Sequence, residues 1–257
     1  LLTHSENNEF DYLVSYNFPM FQSTFAIQDT IVINSNEQDY TYYTSRYGKY
    51  LIQRQNNDLL LFNTYDDTSY SIVHSFYEIR TLKFYNQEEE KILFSAKQTQ
   101  ISSTYSIFLY DILENSFNLV FTYLEQDQLS VLDISYDDQK VLYRTYNNPL
   151  AVPEILLFIA DINSSSLELI SSRNSGDLDG RLNNDGSAVF LITSDNSGPG
   201  ERSLRVLNFE TGENTLIDTL SSVFLNVFGV QFDEDQFYYG WNGGLIKVDI
   251  NGVATFL

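Results

Sequence analysis

The chain has 257 residues and 29.7 kDa, with 14 Lys and Arg against 35 Asp and Glu, a formal charge of −21, and no cysteine. That balance opposes nucleic-acid binding, which needs a cationic surface that releases counterions, and opposes electrostatic attachment to an anionic membrane. The missing thiols exclude disulfides, zinc–thiolate sites, iron–sulfur clusters and thiol catalysis, and no apolar run approaches the roughly 18 to 20 residues of a membrane helix.

With 43% hydrophobic and 19% charged residues the chain can bury a sizeable core. Nineteen Tyr and 19 Phe against 4 Pro favour strands. No apolar stripe of helical period runs for three turns; short alternating or continuous apolar runs recur between Asn, Asp, Ser and Gly clusters, the pattern of an all-β chain. Leu1-Leu2-Thr3-His4 is neither an initiator methionine nor a signal peptide, so the chain is expected to be processed or cut from a longer one. Over residues 1–40, Phe10 to Tyr16, Phe21 to Ile27 and Thr30 to Asn34 read as three strands.

From residue 41 the pattern becomes periodic. Thr44 to Ile52 and Phe84 to Phe94 are loose copies of a strand, a polar turn and a second strand. Ile134-Ser135-Tyr136-Asp137-Asp138-Gln139-Lys140-Val141-Leu142-Tyr143 is a clear copy. Copies at Leu182 to Leu191 and Val230 to Tyr239 follow at intervals of about 48 residues. A third strand follows each: Leu59 to Asn63, Ile107 to Asp111, Leu157 to Asp161, Leu204 to Asn208 and Leu245 to Asp249. Each ends in Asp or Asn, residues that bond their own backbone and start a turn. A fourth short strand comes next, as at Leu167 to Ile170 or Val253 to Leu257. Four strands per unit of about 41 to 50 residues is the period of a β-propeller blade.

The stretch Ser45-Arg46-Tyr47-Gly48-Lys49-Tyr50-Leu51-Ile52 and the turn Asn184-Asp185-Gly186 resemble the Ser-Pro-Asp-Gly turn of TolB-like propeller repeats. The same repeat builds the propeller domains of prolyl oligopeptidases and dipeptidyl peptidases. Asp111, Asp161 and Asp249 resemble the end of that repeat's third strand, and Thr211-Gly212 and Asn251-Gly252 stand where its glycine turn belongs. Proline is missing from every turn copy, so the resemblance is to a divergent member. It implies an all-β fold, a β-propeller of four-stranded antiparallel blades in a single domain over 1–257. Residues 41–257 would supply five repeats and 1–40 a degenerate sixth blade or an N-terminal extension; six blades are favoured.

In such blades the aspartate turns share one face, and Asp137, Asp185 and Asp233 read as turn residues there. The other face carries the long connections Ala96 to Ser106, Thr145 to Glu154 and Thr193 to Arg202, where binding usually resides. Candidate contacts on it are Trp241 and Asn242 in Gly240-Trp241-Asn242-Gly243-Gly244, Tyr146 with Asn147 and Asn148, and Arg202. One position before the apolar end of each first strand stand Tyr43, Lys83, Asp133, Arg181 and Gly229. Lys83, Asp133 and Arg181, with Arg80 and Asp179, form either a polar ligand site or an ion-pair set that fixes blade register.

Signals for catalysis are sparse. The two histidines are His4 and His74, and no Gly-x-Ser-x-Gly elbow, phosphate loop, zinc helix or nucleotide fingerprint appears. Asp133 and Asp179 are the carboxylates a glycosidase would use. Asp177-Leu178-Asp179-Gly180 and Asp233-Glu234-Asp235 supply oxygen ligands for calcium without the spacing of an EF-hand; otherwise no metal and no cofactor is expected. Asn163-Ser164-Ser165 is a glycosylation sequon, meaningful only in a eukaryotic secretory setting. The expected function is a non-catalytic protein-binding module or scaffold subunit of a secreted, periplasmic or cell-surface assembly, binding through the long-loop face. The resemblance to TolB-like repeats favours a protein partner. The alternative is a carbohydrate-binding or carbohydrate-cleaving propeller with its site at the channel mouth.

Overall fold

The computed structural model describes residues 2–4, 10–17, 26–34, 40–102, 104–122, 128–147, 154–164, 166–173, 178–194, 201–221, 231–233, 236–241 and 244–256. All regular structure among them is strand, and no helix there is long and apolar enough to cross a membrane. The chain divides into two compact units, Leu1–Ile72 and Val73–Leu257.

The first unit holds a three-stranded sheet of β1 (Leu2–His4), β2 (Phe10–Asn17) and β3 (Ala26–Asn34), and a four-stranded sheet of β4 (Tyr40–Thr44), β5 (Tyr50–Gln55), β6 (Asp58–Asn63) and β7 (Thr68–Ile72). The two strands predicted over Phe21 to Ile27 and Thr30 to Asn34 are corrected: β3 runs unbroken from Ala26. Ser15 pairs with Asp29 and Tyr16 with Ile27, so Gln28 is the extra residue of a bulge and the polar stretch stays in the strand. Residues 21–25 lie outside the described residues.

The second unit holds four four-stranded meanders. They are β8 (Glu78–Phe84), β9 (Lys91–Lys97), β10 (Ser106–Asp111) and β11 (Ser116–Thr122); then β12 (Gln128–Ile134), β13 (Lys140–Asn147), β14 (Glu154–Asp161) and β15 (Glu168–Arg173). Next come β16 (Leu178–Leu182), β17 (Ala188–Ser194), β18 (Glu201–Asn208) and β19 (Asn214–Ser221), and last β20 (Gln231–Asp233), β21 (Gln236–Trp241), β22 (Gly244–Asp249) and β23 (Ala254–Phe256). The repeat read from the sequence is a repeat of register. In all five four-stranded sheets the residue opening the second strand pairs with the Asp or Asn closing the third: Tyr50 with Asn63, Lys91 with Asp111, Lys140 with Asp161, Ala188 with Asn208, Gln236 with Asp249.

The core lies between successive sheets, because strand side chains alternate between faces. On β13, Val141 and Tyr143 pack with Leu93, Ile107 and Phe121 of the preceding sheet, while Leu142 packs with Leu182, Val189 and Leu191 of the next. On β17 the roles swap at each residue again: Ala188 and Phe190 turn the other way, onto Phe237 and Val248. Both faces of β13 and β17 are therefore apolar, which explains why the sequence shows continuous apolar runs there rather than alternation. Outermost pairs carry a bulge at the same place in three successive sheets, at Ile107/Phe108, Leu157/Phe158 and Leu204/Arg205. Such bulges twist an exposed edge away from pairing with another chain.

The polar turns lock the sheets at one end. In the repeat turn, Ser45 and Ser135 Oγ and Asn183 Oδ1 accept the N–H five residues on, from Tyr50, Lys140 and Ala188, at 3.0, 2.9 and 2.8 Å. The left-handed position is glycine in two copies, Gly48 at φ 76° and Gly186 at φ 69°, and Asp138 at φ 57° in the third. Asp138 is buried, and its carboxylate accepts the backbone N–H groups of Asn86, Gln87 and Glu88 from the preceding sheet's turn at 2.6, 2.7 and 3.1 Å. Asn86 Nδ2 in return donates to the carbonyls of Ile134 and Ser135 at 2.8 and 2.9 Å. One turn further, Asp137 N donates to Asn184 O at 3.0 Å. A Cβ on Gly186 would lie 2.5 Å from Lys140 Cγ, so this turn too sits hard against the previous sheet. Asp138→Gly relieves the left-handed backbone yet deletes three charge-assisted bonds, so it should cost about 1–3 kcal/mol in urea unfolding; a variant as stable as the parent would show that this clasp contributes nothing.

Candidate functional site

First strands bring the sequence-selected charges into equivalent places. Tyr43, Lys83, Asp133 and Arg181 pair with Ile52, Leu93, Leu142 and Phe190, one position before the strand end each time; Gly229 lies outside the described residues. Asp133 Oδ2 accepts the N–H of Leu182 on β16 at 2.9 Å, and Thr81 Oγ1 on β8 accepts that of Val131 on β12 at 2.8 Å. Inner strands are thus joined by side-chain acceptors reaching the next strand's amide. Burial holds the Asp133 carboxyl above the usual carboxylate range, while the Lys83 ammonium, the Arg181 guanidinium and the amides of Leu182 and Ile134 pull it down. The structure therefore gathers Lys83, Asp133 and Arg181 into one electrostatic group. Arg181 also donates to Gly180 O at 2.8 Å.

Asp179 lies on β16, paired with Ile192. Its neighbour Gly180 is pressed between the sheet before it and its own: an added Cβ would lie 2.9 Å from Leu142 Cδ2 on β13 and 3.1 Å from Val189 Cγ2 on β17. That glycine serves close packing. Of the two proposed calcium segments, Asp177, Glu234 and Asp235 lie outside the described residues. Among the described residues no group of three His, Asp or Glu is placed to hold a metal.

Arg80 joins a different group, at the end of the β8–β11 sheet that carries the long connection 98–105. It stands in a bulge between Ile79 and Leu82. Its Nε lies 3.3 Å from Tyr105 Oη and 3.8 Å from Glu78, and its guanidinium is 5.3 Å from the Tyr105 ring centroid. Lys97 approaches the same ring at 4.7 Å and the same Glu78 at 3.8 Å. Burial raises the Tyr105 hydroxyl, and the bond with Glu78 adds to that. Neither Lys97 nor Tyr105 carried a signal in the sequence beyond lying near a long loop.

The remaining candidates sit on strands rather than in loops. Tyr146 and Asn147 close β13, paired with Ile155 and Glu154; Arg202 pairs with Ser194 and Leu220; Trp241 closes β21, paired with Gly244. The sequence expectation is corrected here because antiparallel ladders continue through polar residues once their neighbours are fixed. Asn242 and Asn148 lie outside the described residues.

No protein-family model matches the chain, and no curated protein matches it in sequence. Solved structures match in fold. The putative TolB from Agrobacterium tumefaciens superposes with a TM-score of 0.59 at 12% identity, over 89% of this chain and 83% of that one. The β-propeller domain of the Trilobed protease from Pyrococcus furiosus gives 0.60 at 13%, over 96% and 74%. Dipeptidyl peptidase 4 from Porphyromonas gingivalis gives 0.61 at 10%, over 99% of this chain, which spans 46% of that one. The fold is a β-propeller fold of four-stranded antiparallel blades, similar to that of TolB and of the peptidase propellers; at these identities the likeness concerns the fold alone.

Asp133→Asn keeps an acceptor for Leu182 N. A carboxyl whose folded-state pKa is raised binds protons more tightly folded than unfolded, so it erodes stability as pH rises from about 4 through that raised value. Urea unfolding across this window should show that fall in the parent and a flatter profile in Asp133→Asn; parallel profiles would place the carboxyl in an unperturbed setting.

Proposed function

We propose that this propeller is a non-catalytic protein-binding module of a cell-envelope or extracellular assembly, contacting its partner through the ends of the sheets that carry the long connections. One contrast carries the reading. At the turn end, side chains are spent on the structure itself: Asp138 on three amides, Asp137 and Asp185 on their own turns. Short turns locked to one another leave little to vary for a ligand. At the opposite end three connections, 98–105, 148–153 and 195–200, are longer, on a scaffold whose rigidity comes from elsewhere. The resemblance to TolB-like repeats points the same way. The net charge of −21 favours solubility and disfavours anionic polymers.

A carbohydrate reading has one observation in its favour. On β5–β7 a cleft of about 280 Å³ is lined by Gln53, Gln55, Asp58 and Ser71 beside Leu59 and Leu60, amides, a carboxylate and a hydroxyl suited to sugar hydroxyls. Binding on a glycan panel that disappears in Gln53→Ala would move the assignment there, and turnover lost in Asp133→Asn or Asp179→Asn would make it an enzyme.

The test of the protein-binding reading is capture from source-cell extract at physiological salt, followed by amine cross-linking. A stoichiometric protein partner should cross-link to Lys97 at the loop end, sparing Lys91 and Lys140 at the turn end. Cross-links confined to Lys91 and Lys140, or no stoichiometric partner, would overturn it.

A further inference from the structure

The outer edge of the β4–β7 sheet is unguarded. β7 closes the order of that sheet and pairs with β6 through five consecutive positions, from Leu59 with Ile72 to Asn63 with Thr68. The outer pairs of the next three sheets each carry a bulge; this one carries none. The β22–β23 pair is regular too, but over three positions. β7 reads Thr-Ser-Tyr-Ser-Ile, without charge, proline or glycine, and its first four residues are exposed. Charges, prolines and bulges are the devices that keep an edge from pairing with another chain, and β7 has none of them.

Register sets the two faces of this sheet apart. Ile52, Leu59, Leu61 and Ile72 are buried on one. On the other, Gln53, Leu60 and Ser71 form one cross-strand row, and Gln55 and Asp58 form the next. These five are among the residues that line the cleft of about 280 Å³, which reaches the edge strand at Ser71. The cleft lies at the end of the sheet away from the repeat turn, where β5 and β6 are joined by Asn56 and Asn57 alone.

Polar groups in this cleft are uncommitted. Turn aspartates such as Asp137 and Asp185 spend their carboxylates on backbone amides. Asp58 is exposed, and among the described residues the side chains of Gln53, Asp58 and Ser71 make no hydrogen bond or ion pair. Residues 1–72 hold three Lys or Arg, at 46, 49 and 54, against nine Asp or Glu. Arg46 and Lys49 belong to the repeat turn at the other end. Arg54 pairs with Leu59 on the other face, and its Nε donates to Asn56 O at 2.8 Å. Asp58 is thus left without a cation from its own unit.

A free edge offers alternating N–H and C=O groups to an extended backbone, and a strand added there places every second side chain on the face that holds the cleft. Strands lie about 4.8 Å apart, so a Lys or Arg on the added strand can lay its stem over Ser71 and Leu60 and bring its charge to Asp58. A sugar ring would use the cleft and leave the edge without a role.

We infer that the β7 edge and the cleft beside it form the docking surface for an extended basic segment of a partner protein, which adds as a fifth strand and sets a Lys or Arg against Asp58. This inference rests on the protein-binding reading and supplies the partner's chemistry.

The test is a random-peptide display library panned on the full chain. Enriched peptides should alternate Lys or Arg with β-forming residues. Their affinity should fall at least tenfold in Asp58→Lys, weaken with added salt, and stay unchanged in Glu210→Gln, which removes an exposed carboxylate from the turn after β18. Asp58 is itself exposed, so Asp58→Lys has little packing to lose. N-methylation along the backbone of the best peptide gives a readout that leaves the protein unchanged: it should abolish binding at alternate residues, those whose N–H faces β7, and be tolerated between them. Peptides without basic residues, binders indifferent to Asp58→Lys, or N-methylation tolerated throughout would each overturn the inference. So would no binder at all, or neutral glycans whose binding is lost in Gln53→Ala, which would give the cleft to sugar. The broader reading is decided separately: cross-links from a captured partner to Lys97 would leave it standing where the β7 surface fails, and it would fall only with the capture.

Discussion

Double-sided burial is the constraint on which the rest of this structure depends. A middle strand such as β13 sends Val141 and Tyr143 into one layer and Leu142 into the next, and β17 does the same with Val189 and Phe190, so these sheets have neither face to spare for water or ligand. Polar chemistry is pushed to strand ends, first strands and turns. Even there it is constrained, because a polar group near a layer must find a partner. Asp133 meets this with Leu182 N, and Thr81 with Val131 N.

Packing by layers fixes spacing but resists sliding only weakly, since apolar contact is non-directional. Directional bonds at the turn end supply what the layers lack. Asp138 reaches three consecutive amides of the neighbouring turn, and Asn86 returns two bonds to carbonyls beside Asp138. Such reciprocal bonding holds one sheet in register on the next without using the inner or outer edge. With register set at one end, the other end is free to carry long connections.

Much of this was legible in the sequence, because repetition amplifies weak signals. The terminal Asp or Asn of each third strand and the aspartate turn recur at a fixed period, and both fall at fixed register positions. Residues of the inner-strand group were legible for the same reason: Lys83, Asp133 and Arg181 occupy one repeat position. What was not legible lies outside the repeat. Asp138 carries no signal in the repeat that separates it from its neighbours, and it takes the structure to show a left-handed residue at a glycine position whose carboxylate reaches another sheet. Strand ends at Tyr146, Asn147 and Arg202 carry no apolar pattern, since their ladder bonds are backbone bonds that hydropathy cannot register. The Lys97–Tyr105 contact joins the two ends of a connection whose path the sequence leaves open.

The acidity of the chain reads differently once its aspartates are placed. Asp111 accepts from Leu113 and Glu114, Asp137 from Ser135 and Gln139, Asp185 from Asn183 and Ser187, and Asp249 from Asn251 and Val253. A repeat that uses a carboxylate as the acceptor in its turns accumulates negative charge with each copy, whatever it binds. The charge of these four aspartates lies at the end already committed to structure. This part of the acidity is therefore a consequence of turn building. Acidity that accrues with each copy of a turn is a property of the repeat, and by itself it says nothing of the chemistry of a partner.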